Sequence, residues 1–145
     1  MQKLEPTEFA QHYVAKQERS ESELYQAMIK GGFDPETAKE TLAYAVAQSW
    51  VSDQRYCERY CERRLCKGYG PMHITEELRD KGLPTSAIVK AIADFDFSTW
   101  EHAAMLALEK KFGNDYKSQP RIKVISFLEQ RGFNDEYMLF LIKDE

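Results

Sequence analysis

A glycine followed by a large apolar residue recurs at Gly32-Phe33, Gly82-Leu83 and Gly132-Phe133, spaced 50 residues apart twice over. The surrounding text rhymes: "SESELYQAMIKGGFDPETAKETL" (20–42), "GPMHITEELRDKGLPTSAIVKAI" (70–92) and "PRIKVISFLEQRGFNDEYMLFLI" (120–142). Apolar residues align at Leu24, Ile74 and Val124, at Met28, Leu78 and Leu128, at Ala38, Ile88 and Met138, and at Leu42, Ile92 and Ile142. The agreement is of residue type rather than identity. Repetition at this period constrains the fold more than any single motif, because each unit must be completed by its neighbours.

Every unit reads as helices. Ser20-x-x-Glu23 forms a capping box, whose side chains satisfy amides left open by a first helical turn. Pro71 and Pro120 are expected at first-turn positions, where a missing N–H costs nothing. The three repeated glycines stop the helices, since the left-handed conformation just past a helix end is cheap for Gly. Short connections such as "DPET" and "PTSA" lead into a further helix. Another helix precedes each pair, over roughly 6–17, 53–66 and 98–112, and no clean strand alternation appears. The expected architecture is all-α, three tandem three-helix repeats (1–52, 53–96 and 97–145) stacked into an elongated curved rod. The tetratricopeptide repeat, with a period of about 34 residues and its own signature, does not fit.

Composition narrows the class. With 43% hydrophobic and 30% charged residues, the chain reads as a soluble folded protein. The N-terminal "MQKLEPTEF" has no signal-peptide pattern and no apolar run approaches a membrane span, so a cytoplasmic protein without membrane contact is expected. Cys57, Cys61 and Cys66 are odd in number and complete no tetrahedral ligand set, which argues against both a disulfide framework and a metal. No nucleophile–base grouping forms around His12, His73 or His102, so neither an enzyme nor a cofactor is expected. The net charge of −4 does not advertise a nucleic-acid binder, but residues 53–96 balance 8 basic against 8 acidic side chains and are the least acidic third.

That third holds "SDQRYCERYCERRLCKGYG", residues 52–70. Asp53 is the expected N-cap. Tyr56, Cys57, Tyr60, Cys61 and Leu65 make an apolar face, while Arg55, Arg59, Arg63 and Lys67 form a separate stripe at i, i+4, i+8, i+12, with Arg64 alongside. Like charges at this spacing cost a little helix stability each. Two explanations stand: a surface that grips an acidic protein face or phosphates, or a solvated face laced by Glu58 and Glu62. Gly68 and Gly70 permit a sharp turn before Pro71, and Tyr69 between them either folds back over the core or meets a partner. Arg79 and Lys81 add cations near the next helix end. Lys110, Lys111, Lys117, Arg121 and Lys123 flank a polar connection that reads as solvated rather than as a second contact patch.

The whole of "SDQRYCERYCERRLCKGYGPMHITEELRDKGL" resembles the central signature of the RecX family of recombination regulators. The similarity extends through "ERSESELYQAMIKGGF" before it and through "STWEHAAMLALEKKFG" and "RIKVISFLEQRGF" after it, in the order of the family. The resemblance implies three tandem three-helix units and a non-catalytic function. Such proteins bind RecA and its filament on single-stranded DNA, and depress ATP hydrolysis, strand exchange and cleavage of the SOS repressor. It implies Arg55, Arg59, Arg63, Lys67, Tyr69, Arg79 and Lys81 as contact residues, in a monomer without a cofactor. Ser49 and Ser52 stand where relatives usually carry Gly and Asp, and His73 and Thr75 where they often carry Arg. The alternative is a helical protein that grips single- or double-stranded DNA directly and without sequence preference; steep salt dependence would distinguish it.

Overall fold

The structure, a computed structural model, describes residues 4–134. Helices α1 (Pro6–Ala15), α2 (Glu21–Lys30) and α3 (Pro35–Ala47) come first, then α4 (Asp53–Leu65), α5 (Pro71–Asp80) and α6 (Thr85–Ala93). Helix α7 (Phe97–Phe112), a 3-10 turn (Gly113–Ser118) and α8 (Arg121–Gln130) follow. No strand occurs among the described residues, and no helix there is long and apolar enough to cross a membrane. The all-α expectation therefore holds. The last helix expected for the third unit, with Met138 and Ile142, lies outside the described residues.

Local chemistry accounts for most helix boundaries. The capping box forms in full: Ser20 Oγ accepts from Glu23 N at 3.1 Å and Glu23 Oε1 accepts from Ser20 N at 2.9 Å. Asp34 and Asp96 likewise accept from the amides of Thr37 and Thr99. Pro71 opens α5 at its first turn as expected. Two expectations are corrected. Ser52, not Asp53, caps α4, with its Oγ accepting from Arg55 N at 3.1 Å. Asp53 instead turns to the first unit, where Oδ1 accepts from Glu21 N at 2.9 Å. Pro120 is the cap of α8 rather than a first-turn residue.

Helices α2, α5 and α8 end alike. Phe33 N donates to Met28 O, Leu83 N to Leu78 O and Phe133 N to Leu128 O, each across a glycine of positive φ. These six-residue bonds close the last turn and aim the apolar residue back at its helix. Helix α3 ends the same way across Ser49, whose φ of 63° makes it the one non-glycine residue of positive φ among the described residues.

Two cores result. Helices α1–α3 enclose Ala10, Leu24, Met28, Ala38, Ala45 and Val51, with Phe9 meeting Phe33 edge to face. The second core runs continuously from Cys57, Cys61, Ile74, Leu78 and Ile88 to Trp100, Leu108, Val124, Leu128 and Phe133. Helices α4–α8 thus share one apolar interior, and at roughly 1.5–3 kcal/mol for each large buried side chain it supplies most of the burial.

Candidate functional site

Arg55, Arg59 and Arg63 lie on α4 opposite the buried thiols, whereas Lys67, expected to continue the stripe, falls in the turn past the helix end; the four cations have different surroundings. Arg55 is half-buried at the joint between the two cores. Its Nε donates to Glu18 Oε1 at 2.6 Å, while Nη1 and Nη2 donate to Ser49 O and Trp50 O at 3.1 and 3.3 Å. Arg59 takes the other Glu18 oxygen at 3.3 Å, with 59% of its side chain still exposed. Together with Asp53 on the Glu21 amide, these contacts clasp the first unit to α4. Burial and the Asp53 carboxylate both push the Glu21 carboxyl upward.

Further along, Arg63 and Lys81 approach one ring. The Arg63 guanidinium lies 5.6 Å and the Lys81 ammonium 5.7 Å from the Tyr60 centroid, and Tyr56 stacks against Tyr60 at 6.3 Å. Burial raises both phenols. Among the described residues, Arg63, Lys67 and Lys81 make no ion pair, so this end of the stripe keeps its positive charge. Arg79 is exposed on another part of α5, lining a cavity with Met72, Thr75 and Ile92. The seven expected contact residues therefore separate into a joint (Arg55, and in part Arg59), an open cationic face (Arg63, Lys67, Lys81), a cavity wall (Arg79) and a ring between glycines (Tyr69).

Tyr69 folds back. Its half-buried ring has the Arg64 guanidinium at 3.9 Å and that of Arg131 at 4.6 Å, and it stacks on His73 at 4.7 Å. Arg64 is held in turn by a bidentate pair with Glu77, at 3.0 and 3.1 Å. The glycines have separate reasons. Gly68 takes a φ of 87° and lets Tyr69 N donate back to Arg64 O at 3.2 Å. Gly70 admits the end of α8: its N donates to Arg131 O at 2.7 Å, and an added Cβ would stand 2.6 Å from Gly132 O. Glu18 and Arg131 were not flagged by sequence reasoning. Glu18 lies 37 residues from Arg55, and no local pattern marks it.

Comparison with known proteins gives a consistent result. A family model described as RecX, first three-helix domain, matches residues 8–44, and one described as RecX, second three-helix domain, matches 52–92. The Regulatory protein RecX of Xanthomonas campestris pv. campestris (strain B100) is 30% identical over 131 residues, covering 89% of this chain and 80% of the relative. That of Haemophilus ducreyi is 27% identical over 142 residues, covering 98% and 93%. The crystal structure of RecX from Lactobacillus salivarius superimposes with a TM-score of 0.85 at 18% identity, over 96% of this chain and 93% of that one. At that identity the superposition speaks for the fold alone.

Proposed function

The chain belongs to the RecX family, and on that premise we propose that it is a non-catalytic regulator of the RecA recombinase. In this reading it binds RecA and its filament on single-stranded DNA in the cytoplasm as a monomer, and inhibits ATP hydrolysis, strand exchange and cleavage of the SOS repressor. The observation that carries the placement is the open cationic face, where Arg63 and Lys81 flank Tyr60 and, among the described residues, neither forms an ion pair. The Tyr60 ring is buried, and the two exposed cations beside it suit an acidic protein surface. Direct contact with single- or double-stranded DNA is secondary, because the chain carries a net −4.

The test is the ATPase rate of the cognate RecA on single-stranded DNA with this protein titrated in, beside an Arg63→Glu/Lys81→Glu variant. Both residues are exposed and, among the described residues, bear no ion pair, so the variant keeps the Glu18 clasp that an Arg59 substitution would disturb. Inhibition by the wild type, lost in the folded variant, supports the reading and its site. Equal inhibition by both removes the open face from the interface. No inhibition at any concentration refutes the regulator, and steeply salt-dependent binding to naked DNA would replace it.

A further inference from the structure

A groove between α7 and α8 lies in the third unit, away from the Arg63 face. Phe112 and Phe127 form its floor, meeting edge to face with centroids 5.5 Å apart, and the cavity measures about 580 Å³. Its rim carries Lys111, Lys123 and Arg131. Ile122 stands beside them with 79% of its surface exposed, the most exposed of the large hydrophobic side chains among the described residues. No carboxylate among the described residues pairs with these three cations.

We propose that this groove is a docking site for an acidic protein segment that carries one large apolar side chain. The charge decides the sign of the partner: three unneutralised cations around an apolar floor attract carboxylates and disfavour basic sequences. The rings decide its class. Lys123 sits over Phe112 at 5.7 Å and Arg131 over Phe127 at 5.2 Å, and the two rings close on each other. Nucleobases bind through open aromatic faces, and these rings already carry cations. An aliphatic edge such as Ile122 serves instead to pack against an apolar side chain. The groove is also preorganised: Arg131 is fixed through its carbonyl by Gly70 N and through its guanidinium by Tyr69, so little ordering entropy is lost on binding. This surface is independent of the recombinase reading and survives its failure.

The probe is a short fluorescein-labelled synthetic peptide of aspartate and glutamate around a single phenylalanine, followed by anisotropy at low salt against the full chain. A Phe→Ala version of the peptide and an oligothymidylate serve as competitors. Expected are binding by the phenylalanine peptide, roughly tenfold weaker competition by its alanine version, and amide shifts in the NMR spectrum confined to residues around 111–112 and 122–131; such a loss is about 1.4 kcal/mol. Lys123→Glu and Ile122→Ser, both at exposed positions, should each weaken binding about as much. Competition by oligothymidylate equal to that of the peptide would overturn the proposal. So would undiminished binding in Ile122→Ser, which would reduce the groove to unspecific charge attraction, or no binding to the wild type.

Discussion

Alanine at Gly132 and alanine at Gly82 are the same substitution at the same point of the repeat, and they should differ severalfold in cost. Both glycines have positive φ, 94° and 86°. A side chain in that conformation costs about 1 kcal/mol by backbone sterics alone. At Gly82 nothing lies within 4 Å of the added Cβ, so the cost ends there. At Gly132 the Cβ would collide with the backbone nitrogen and Cβ of His73, at the start of α5. Relief requires α5 and α8 to part, which strains the bonds from Gly70 N to Arg131 O (2.7 Å) and from Met72 N to Gly132 O (3.0 Å). Two hydrogen bonds at about 1 kcal/mol each and an overpacking cost of about 1–2 kcal/mol bring the total to roughly 4–5 kcal/mol. Unfolding entropy of about 2.1 cal/mol/K per residue, over 145 residues, converts these into Tm losses of about 3 °C for Gly82→Ala and about 14 °C for Gly132→Ala. Thermal denaturation followed by circular dichroism, with urea titration as a check on the free energies, makes the comparison. Similar losses for the two variants would refute the argument that the Gly70–Gly132 crossing, rather than the shared backbone conformation, dictates the third glycine.

Other consequences are open to measurement. Glu18→Gln and Arg55→Met, made singly and together, should couple by about 1 kcal/mol in urea denaturation, a modest value for a pair still partly open to solvent; strict additivity would mean the clasp holds nothing. Ser49→Gly should raise Tm by about 3 °C, since a residue at φ 63° loses about 1 kcal/mol that glycine does not, and a lower Tm would count against it. The buried thiols of Cys57 and Cys61, pushed up by burial to about 11 and about 12, should resist labelling in the native protein at pH 8 while exposed Cys66 reacts at once. Their folded-state values lie above the ordinary 9.0, so the stability they contribute is complete below pH 9 and is lost as pH climbs toward 12; a flat stability profile across that window would be contrary.

The helices were legible because their ends are written in short-range chemistry. Ser20 with Glu23 and the three repeated glycines each act within a few residues of themselves, whereas the Asp34 cap lay inside a stretch read as a connection. Where two candidates were adjacent, as at Ser52 and Asp53, local rules could not choose. Asp53 was drawn away by an amide on another helix, at Glu21. The stripe on α4 was readable as spacing but not as charge. Glu58 and Glu62 were the nearest acids in sequence, yet the acid that binds Arg55 and Arg59 is Glu18, brought in by the chain reversal through α2 and α3. Tyr69 shows the same limit. A ring between two glycines fitted either a fold or a contact, and the decision rests with Arg131 and Gly132, more than sixty residues downstream.

The division into two interiors has a bearing on how the protein is made. Among the described residues, every side chain of the first interior lies at or before Val51, so that unit can close before the rest of the chain is made. The second interior cannot close so early. Cys57, Ile74 and Leu78 await Trp100, Leu108 and finally Phe133, and the Gly70 amide awaits the Arg131 carbonyl. During that interval α4 can already pack against α6 and α5, while the apolar side chains that later meet α7 and α8 stay open. The stretch that completes the second interior is thus the last to be made, and the crossing of Gly70 with Arg131 and Gly132 can form only then.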